Sequence, residues 1–278
     1  MKRKHKKAVS SSIRYIVLTI IVFFVHLPTI SMMGSAFKTR EDVLTTATLL
    51  PRNWAIENFQ YVLTETAFPG FIWNSFLISL ASGILCVLIS ALAGYSISRY
   101  KGKGFTMFTS SMLVLQMFPL ILLSIPLFII LASFGLTDSK TGIILLYVTF
   151  FTPFSIWMFK SYFDAIPFEL EEQAYIDGAT KIRAIWSIVL PLVAPAVATI
   201  MIFVYVLSWN EYLIASLFLR SDNVKTISVG MQIFFLQFSQ DWASIQAAAT
   251  IALVPPLLFI LFAEKYLIRG MTAGAIKG

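Results

Sequence analysis

Hydrophobic positions fall along this chain in long unbroken runs rather than in alternation. Residues 71–98, 104–137, 184–210 and 242–263 carry no Asp, Glu, Lys or Arg, and a helix needs about 20 apolar residues to cross the hydrocarbon of a bilayer. With the apolar stretches at 13–33 and 141–160, the pattern predicts six spanning helices, at 13–33, 71–98, 105–132, 141–160, 188–214 and 242–263. The period-two alternation of a barrel strand is absent from these runs. The expected fold class is therefore an all-α integral membrane protein, with one domain over 13–263, a basic tail over 1–12 and a second tail over 264–278. Polar residues return between spans four and five, in a loop over 161–187.

That loop carries the only strongly mixed charged and apolar passage in the second half of the chain, "EEQAYIDGATKIRAIWSIVLP" from Glu171 to Pro191. Pro167 suits the first turn of a short helix, and Glu169, Glu171 and Glu172 lie where the positive end of the helix dipole favours carboxylates. Gly178 ends this helix, because a non-glycine residue in the left-handed conformation common at helix ends costs on the order of 1–2 kcal/mol. Thr180 can cap a second helix in which Ile182, Ile185, Trp186 and Val189 recur on one apolar face. Helix, tight turn and helix is the expected element. A plain interfacial linker, with solvated acids and Trp186 at the headgroup level, is the alternative.

Composition and charge sharpen this picture. At 58% hydrophobic and 13% charged residues, with a mean hydropathy of +0.82, the chain has too little polar material to cover a soluble globule. A cytoplasmic N-terminus puts fifteen Lys and Arg residues in the inside segments and six in the outside ones. That asymmetry predicts both termini inside. The opening "MKRKHKK" then reads as a topogenic anchor, and the long stretch after it, with no A-x-A exit, as an uncleaved first span. No basic motif interleaved with aromatics lies outside the spans, so nucleic acid is not an expected partner. Cys86 is the only cysteine, and His5 and His26 have no second ligand at metal spacing, so neither a disulfide nor a metal is expected.

The chemistry of catalysis is missing from the sequence. There is no G-x-x-x-x-G-K-[ST], and "KGKG" at 101–104 lacks both the spacing and the hydroxyl that cradle phosphates. No nucleophile with a base is evident, so an enzyme is not expected and energy must come from a partner. A secondary transporter or channel stays open on composition, although such proteins couple to ions through buried ionisable groups and only Glu211 lies near the end of a span. Pro119, Pro126, Pro153, Pro191, Pro195 and the Pro255-Pro256 pair invite kinks. Asn74, Ser75, Gln116, Ser208, Trp209, Asn210 and Glu211 are candidates for lining a solute path, with helix–helix packing as the alternative.

Residue order adds a resemblance. Glu172-Gln173-Ala174, Asp177-Gly178-Ala179 and then Ile188, Leu190 and Pro191 resemble the signature of the membrane subunits of ABC importers: E-A-A, two residues, D-G-A, eight residues, I-x-L-P. Gln173 stands where the middle alanine is usual. "GSAFKTREDV", "NWAIENFQYVL", "WNSFLIS", "SWNEYLIASL", "KTISVGMQ" and "RGMTAGAIKG" extend the likeness over nearly the whole chain. They are similar to the carbohydrate-uptake branch, and within it to the second permease of maltose-type importers.

The resemblance implies a heteromeric complex in a prokaryotic cell membrane. Its other members would be a second homologous permease, a pair of cytoplasmic ATPases that bind ATP and Mg, and an extracellular binding protein that delivers a di- or oligosaccharide. Glycerol-phosphate importers share similar permeases. This chain would bind no cofactor itself. Glu172, Gln173, Ala174, Asp177, Gly178 and Pro191 would belong to the loop that couples to the ATPases, and the tail ending in Lys277 and Gly278 would extend between them. The loop over 216–241, with Met231, Gln232 and Gln237, would reach into the binding protein. Its stretch from Ile227 to Phe238 is too apolar for a solvated linker, and packing on the chain's own helices is the alternative. The tail has three glycines in its last ten residues and is not expected to hold a good helix.

Overall fold

The computed structural model describes residues 2–100, 102–238 and 241–275, and among them there is helix but no strand. The helices in chain order are α1 (Lys2–Ala36), α2 (Arg40–Thr45), α3 (Glu57–Thr64), α4 (Phe68–Arg99), α5 (Lys103–Gln116), α6 (Leu120–Ser133), α7 (Lys140–Asp164), α8 (Glu169–Ile176) and α9 (Lys181–Ala184). A turn of π-helix at Ile185–Val189 leads into α10 (Leu190–Leu192), α11 (Ala194–Asn210), α12 (Leu213–Phe218), α13 (Ile227–Gln237) and α14 (Trp242–Ala275).

Among the described residues, four helices are long and apolar enough to cross a membrane: Arg14–Ala36 within α1, α4, α7 and Trp242–Ala263 within α14. Counting the bent pair Lys181–Leu192 and Ala194–Asn210 as one span makes five. The run expected to be a third continuous span, 105–132, is two helices, α5 and α6, parted by Met117, Phe118 and Pro119. Pro119 is extended, with φ −61° and ψ 123°. It has no N–H for the helical ladder, and its ring pushes the residue before it out of the helical region.

The fifth run is also not straight. Its two halves meet at 68° around Val193, between Pro191 and Pro195, each of which removes a ladder hydrogen bond. At the other extreme, α14 does not stop at 263 but continues to Ala275. Extending an existing helix fixes one residue per added hydrogen bond, and each glycine costs only about 1 kcal/mol. The glycine-rich tail is therefore helical over most of its length, contrary to the expectation from composition.

By its contacts the chain divides into two units, Met1–Phe68 with Met231–Leu253, and Pro69–Gly230 with Val254–Gly278. In the first, the buried Asn58 donates from Nδ2 to the carbonyls of Ala36 and Lys38, at 2.9 and 2.8 Å. Phe37 packs between Trp54 and Phe59, and Arg40 pairs with Asp241 at 2.7 Å. The spanning part of α1 has 0% of its apolar window buried against this chain.

The second unit has its core where α4, α7 and α11 meet. Cys86, Val148, Phe159, Phe163, Val189, Ala196, Ile200 and Val204 form one buried cluster. Gly94 of α4 brings its backbone close to that of α7, and Gly83 leaves room for a side chain of α11. A Cβ at Gly94 would lie 2.7 Å from the Cβ of Phe159 on α7, and one at Gly83 would lie 2.7 Å from the sulfur of Met201 on α11. Cys86 is fully buried, with its sulfur 3.3 Å from the Thr152 hydroxyl and 3.6 Å from the Val148 carbonyl. α4 carries proline only at Pro69, in its first turn, whereas α1, α7 and α14 each have proline inside.

Candidate coupling element and solute path

The helix, turn and helix expected around Gly178 is present. Three glutamates occupy the first turn of α8, where the exposed backbone N–H groups favour negative charge. The helix ends in two nested hydrogen bonds, from the Ala179 N–H to the Ala174 carbonyl at 2.9 Å and from the Gly178 N–H to the Tyr175 carbonyl at 3.0 Å. This Schellman arrangement needs a left-handed residue after the helix, and Gly178 supplies it at φ +84°. Thr180 then caps α9, its side-chain oxygen accepting the Arg183 N–H at 3.3 Å.

The anchor of the element is a residue that the sequence pattern did not single out. Glu171 is 0% exposed. Its carboxylate accepts from Arg99 Nε at 2.7 Å, from the Tyr95 hydroxyl at 2.6 Å and from the Tyr175 hydroxyl at 3.3 Å. The Arg99 guanidinium also lies over the rings of Tyr95 and Phe168, at 5.8 and 5.7 Å, and donates to the Phe163 carbonyl at 3.2 Å. Burial and the Glu171 carboxylate push the Tyr175 phenol above its ordinary pKa. Beside this cluster Ser98 donates to Asp164 at 2.6 Å, and Lys160 pairs with the same carboxylate. The available signal was Arg99 closing an uncharged run of 28 residues, 71–98.

Among the residues named from the motif, Glu172, Gln173, Asp177 and Pro191 are exposed and Ala174 is buried. The second helix does not present a single apolar face. Ile182 and Trp186 are 71% and 69% exposed, whereas Val189 is fully buried. The cause is the π-turn, in which the Leu190 N–H reaches the Ile185 carbonyl five residues back. The extra residue in that turn shifts the 3.6-residue register. Ile176, at 85% exposure, joins Ile182 and Trp186 as bare apolar surface on this element.

The polar residues proposed for a path are engaged mostly in hydrogen bonds within the chain. Asn74 donates from Nδ2 to the carbonyls of Asn223 and Lys225, at 3.0 and 2.9 Å, and the Ser75 hydroxyl accepts the Ile227 N–H at 2.7 Å. Both therefore hold the loop that leads into α13. The Glu211 carboxylate accepts the N–H groups of Ile214 and Ala215 at 2.8 and 2.9 Å, and the Tyr147 hydroxyl at 2.8 Å, so it caps α12. Trp209 is buried beside Tyr205, their rings 5.9 Å apart. Asn210 is exposed and turns its amide back to the Val206 carbonyl at 2.8 Å. Gln116 is exposed at the end of α5, just before the break.

The start of the 216–241 stretch is held by Asp138, which lies between α6 and α7 and stands at φ 52°. Its carboxylate accepts the N–H groups of Arg220 and Ser221, at 2.7 and 3.0 Å, and the Ser221 hydroxyl. These hydrogen bonds, led by those from Ser221, hold the Asp138 pKa below its ordinary value. In α13, Gln232 and Gln237 are exposed and Met231 is half-buried. Lys277 and Gly278 lie outside the described residues.

Comparison with known proteins places this architecture. Residues 86–273 match the family model described as "Binding-protein-dependent transport system inner membrane component". The chain is 32% identical to the trehalose/maltose transport system permease protein MalG of Thermococcus litoralis, over the full length of both chains. It is 33% identical to the sulfoquinovosyl glycerol transport system permease protein SmoH of Agrobacterium fabrum, with 96% of this chain and 94% of that one covered. A solved structure with the same fold is that of a bacterial ABC transporter involved in the import of the acidic polysaccharide alginate. Its matching chain superposes with a TM-score of 0.79 at 20% identity, covering 94% of this chain and 97% of that one.

Proposed function

Since the chain belongs to the inner-membrane components of binding-protein-dependent transport systems, we propose that it is one of two permeases forming the path of an ATP-driven carbohydrate importer. The chain is a multi-pass membrane transport subunit, not an enzyme. In this reading it crosses the membrane six times with both termini in the cytoplasm, α5 and α6 together making one broken span. A second, homologous permease completes the path, and an extracellular binding protein delivers a di- or oligosaccharide. Two cytoplasmic ATPases hold the ATP and Mg.

The observation that carries this reading is the element around Gly178. It is fixed from within by the buried Glu171 carboxylate, and its outer side leaves Ile176, Ile182 and Trp186 bare. An exposed apolar patch on a rigid short helix pair is a docking face, and the ATPases are the partner that seats on it. Glu172 and Asp177 add charge at its rim, and the C-terminal tail, with Lys277 and Gly278, extends toward the same partner. Asn210 and Gln116 belong to the sugar path, and the buried Trp209 packs on Tyr205 beside Asn210. Glu211 serves that path by capping α12, and Met231, Gln232 and Gln237 face the binding protein.

The test is uptake by proteoliposomes holding both permeases, the ATPases and the binding protein, challenged with a panel of disaccharides, oligosaccharides and glycerol phosphates. Uptake of a sugar that requires ATP and the binding protein supports the reading. Uptake driven by an ion gradient with no ATPase present would overturn it.

A further inference from the structure

α4 is anchored by polar side chains at both of its ends, to two different pieces of the chain. At one end Tyr95 and Arg99 hold Glu171 of α8, at 2.6 and 2.7 Å. At the other end Asn74 holds the carbonyls of Asn223 and Lys225, and Ser75 holds the N–H of Ile227. Asn74, Ser75 and Glu171 are all buried, so these hydrogen bonds are poorly replaced by water. From Asn74 to Arg99 the helix covers about 37 Å at 1.5 Å per residue.

No proline interrupts that length. α4 has proline only in its first turn. The neighbouring path halves part by 68° at Val193, α5 and α6 part at Pro119, and α7 and α14 carry proline inside. Proline kinks a helix by removing a ladder hydrogen bond and clashing with the preceding turn. A helix that keeps its ladder and is packed along its length can carry a displacement from one end to the other as a rigid body. Gly94 seats it tightly on α7, and the Met201 side chain of α11 fills the space at Gly83, so that it moves with the packed core rather than through it.

We propose that α4 is a strut that carries the signal between the extracellular loop at 223–227 and the ATPase-docking element at α8, with Asn74 and Arg99 as the positioning residues at its two ends. This rests on the reading of α8 as the docking element. A displacement of the loop when the loaded binding protein seats is delivered directly to Glu171. It need not pass through the bent α11 or the proline-bearing α7, the two helices joined to the docking segment along the chain. Coupling of this kind is reciprocal, so ATPase closure acts on the loop through the same helix.

The experiment is a double-mutant cycle in the complete reconstituted complex. Its readout is the ratio of ATPase activity with sugar-loaded binding protein to activity without it. Asn74→Asp keeps the shape but loses both N–H donors, and Arg99→Gln removes the guanidinium. Each is expected to lower the ratio about tenfold, within the range of allosteric couplings. The double variant is expected to match the single ones, because a strut released at one end transmits nothing from the other.

If Arg99→Gln alone leaves too little assembled complex, Arg99→Gln with Glu171→Gln removes both charges of the buried pair and takes its place. Ser75→Ala likewise stands in for Asn74→Asp. Normal stimulation in the single variants, or a double variant whose loss is the product of the two, would overturn the strut. A wild-type complex whose ATPase ignores the loaded binding protein would instead sink the functional reading on which the strut rests.

Discussion

Gly178 offers a test of how much of the coupling element is backbone geometry and how much is contact. Its φ is +84°, and a Cβ built there meets nothing within 4 Å. Replacement therefore creates no clash, and any cost comes from the left-handed backbone itself. That cost is about 1–2 kcal/mol for an ordinary L-residue, or roughly a 5- to 30-fold loss in the population of the turned conformation. Asparagine, which visits this region more readily, should cost less than alanine, and the β-branched valine more.

Loss of the turn also removes the two hydrogen bonds that Gly178 and Ala179 make to Tyr175 and Ala174, and α9 then leaves α8 at a different angle. The assay is retention of the ATPase subunits when the complex is purified through the permease, with sugar uptake measured in parallel. The expected order is Gly178, then Gly178→Asn, Gly178→Ala and Gly178→Val, with the last inserted in the membrane yet stripped of ATPases or hydrolysing without transport. Equal retention across the series would refute the argument, because a Cβ at this position meets no atom of the chain and its first effect is on the left-handed backbone.

Two further outcomes are expected. Asn210→Leu should lower sugar uptake about tenfold or more with the complex fully assembled, a hydrogen bond to sugar being worth on the order of 1–2 kcal/mol; unimpaired uptake would take Asn210 out of the path. Asp138→Asn should lower the hydrogen-exchange protection of the Arg220 and Ser221 N–H groups several-fold at pH 7 and abolish the loss of that protection on acidification. In the native chain the Asp138 clamp is complete above the ordinary value of 3.8 and is lost as pH falls through its depressed folded value, so identical exchange in the two proteins at pH 7 would dismiss the clamp.

The sequence was most legible where a single local rule decides the structure. Uncharged runs marked α4, α7, the spanning part of α1 and the first part of α14, and Gly178 marked the turn because only one conformation closes a Schellman end. Thr180 marked the next cap for the same reason. It was least legible where two distant segments decide together. Glu171 and Glu172 are neighbours with the same side chain, and only the arrival of Arg99, 72 residues away in sequence, makes one an anchor and leaves the other outside. The break at Pro119 and the bend at Val193 were each signalled by proline. A bilayer tolerates proline in straight-reading runs, so apolar length alone joined what the backbone separates. The π-turn at Ile185–Val189 had no signal in apolar spacing, and it turned an expected single face into one buried and two bare residues.

The setting of Cys86 has a practical consequence for all of these experiments. The thiol is the only one in the chain and is fully buried between α4 and α7, and a buried thiol in apolar surroundings reacts slowly with thiol-directed reagents because the thiolate is the nucleophile. The natural chain is thus already a silent background for labelling. A cysteine placed at an exposed position such as Gln232 or Ile182 can carry a spin label, fluorophore or crosslinker on its own, with Cys86 left in place and the packing it provides between those two helices undisturbed.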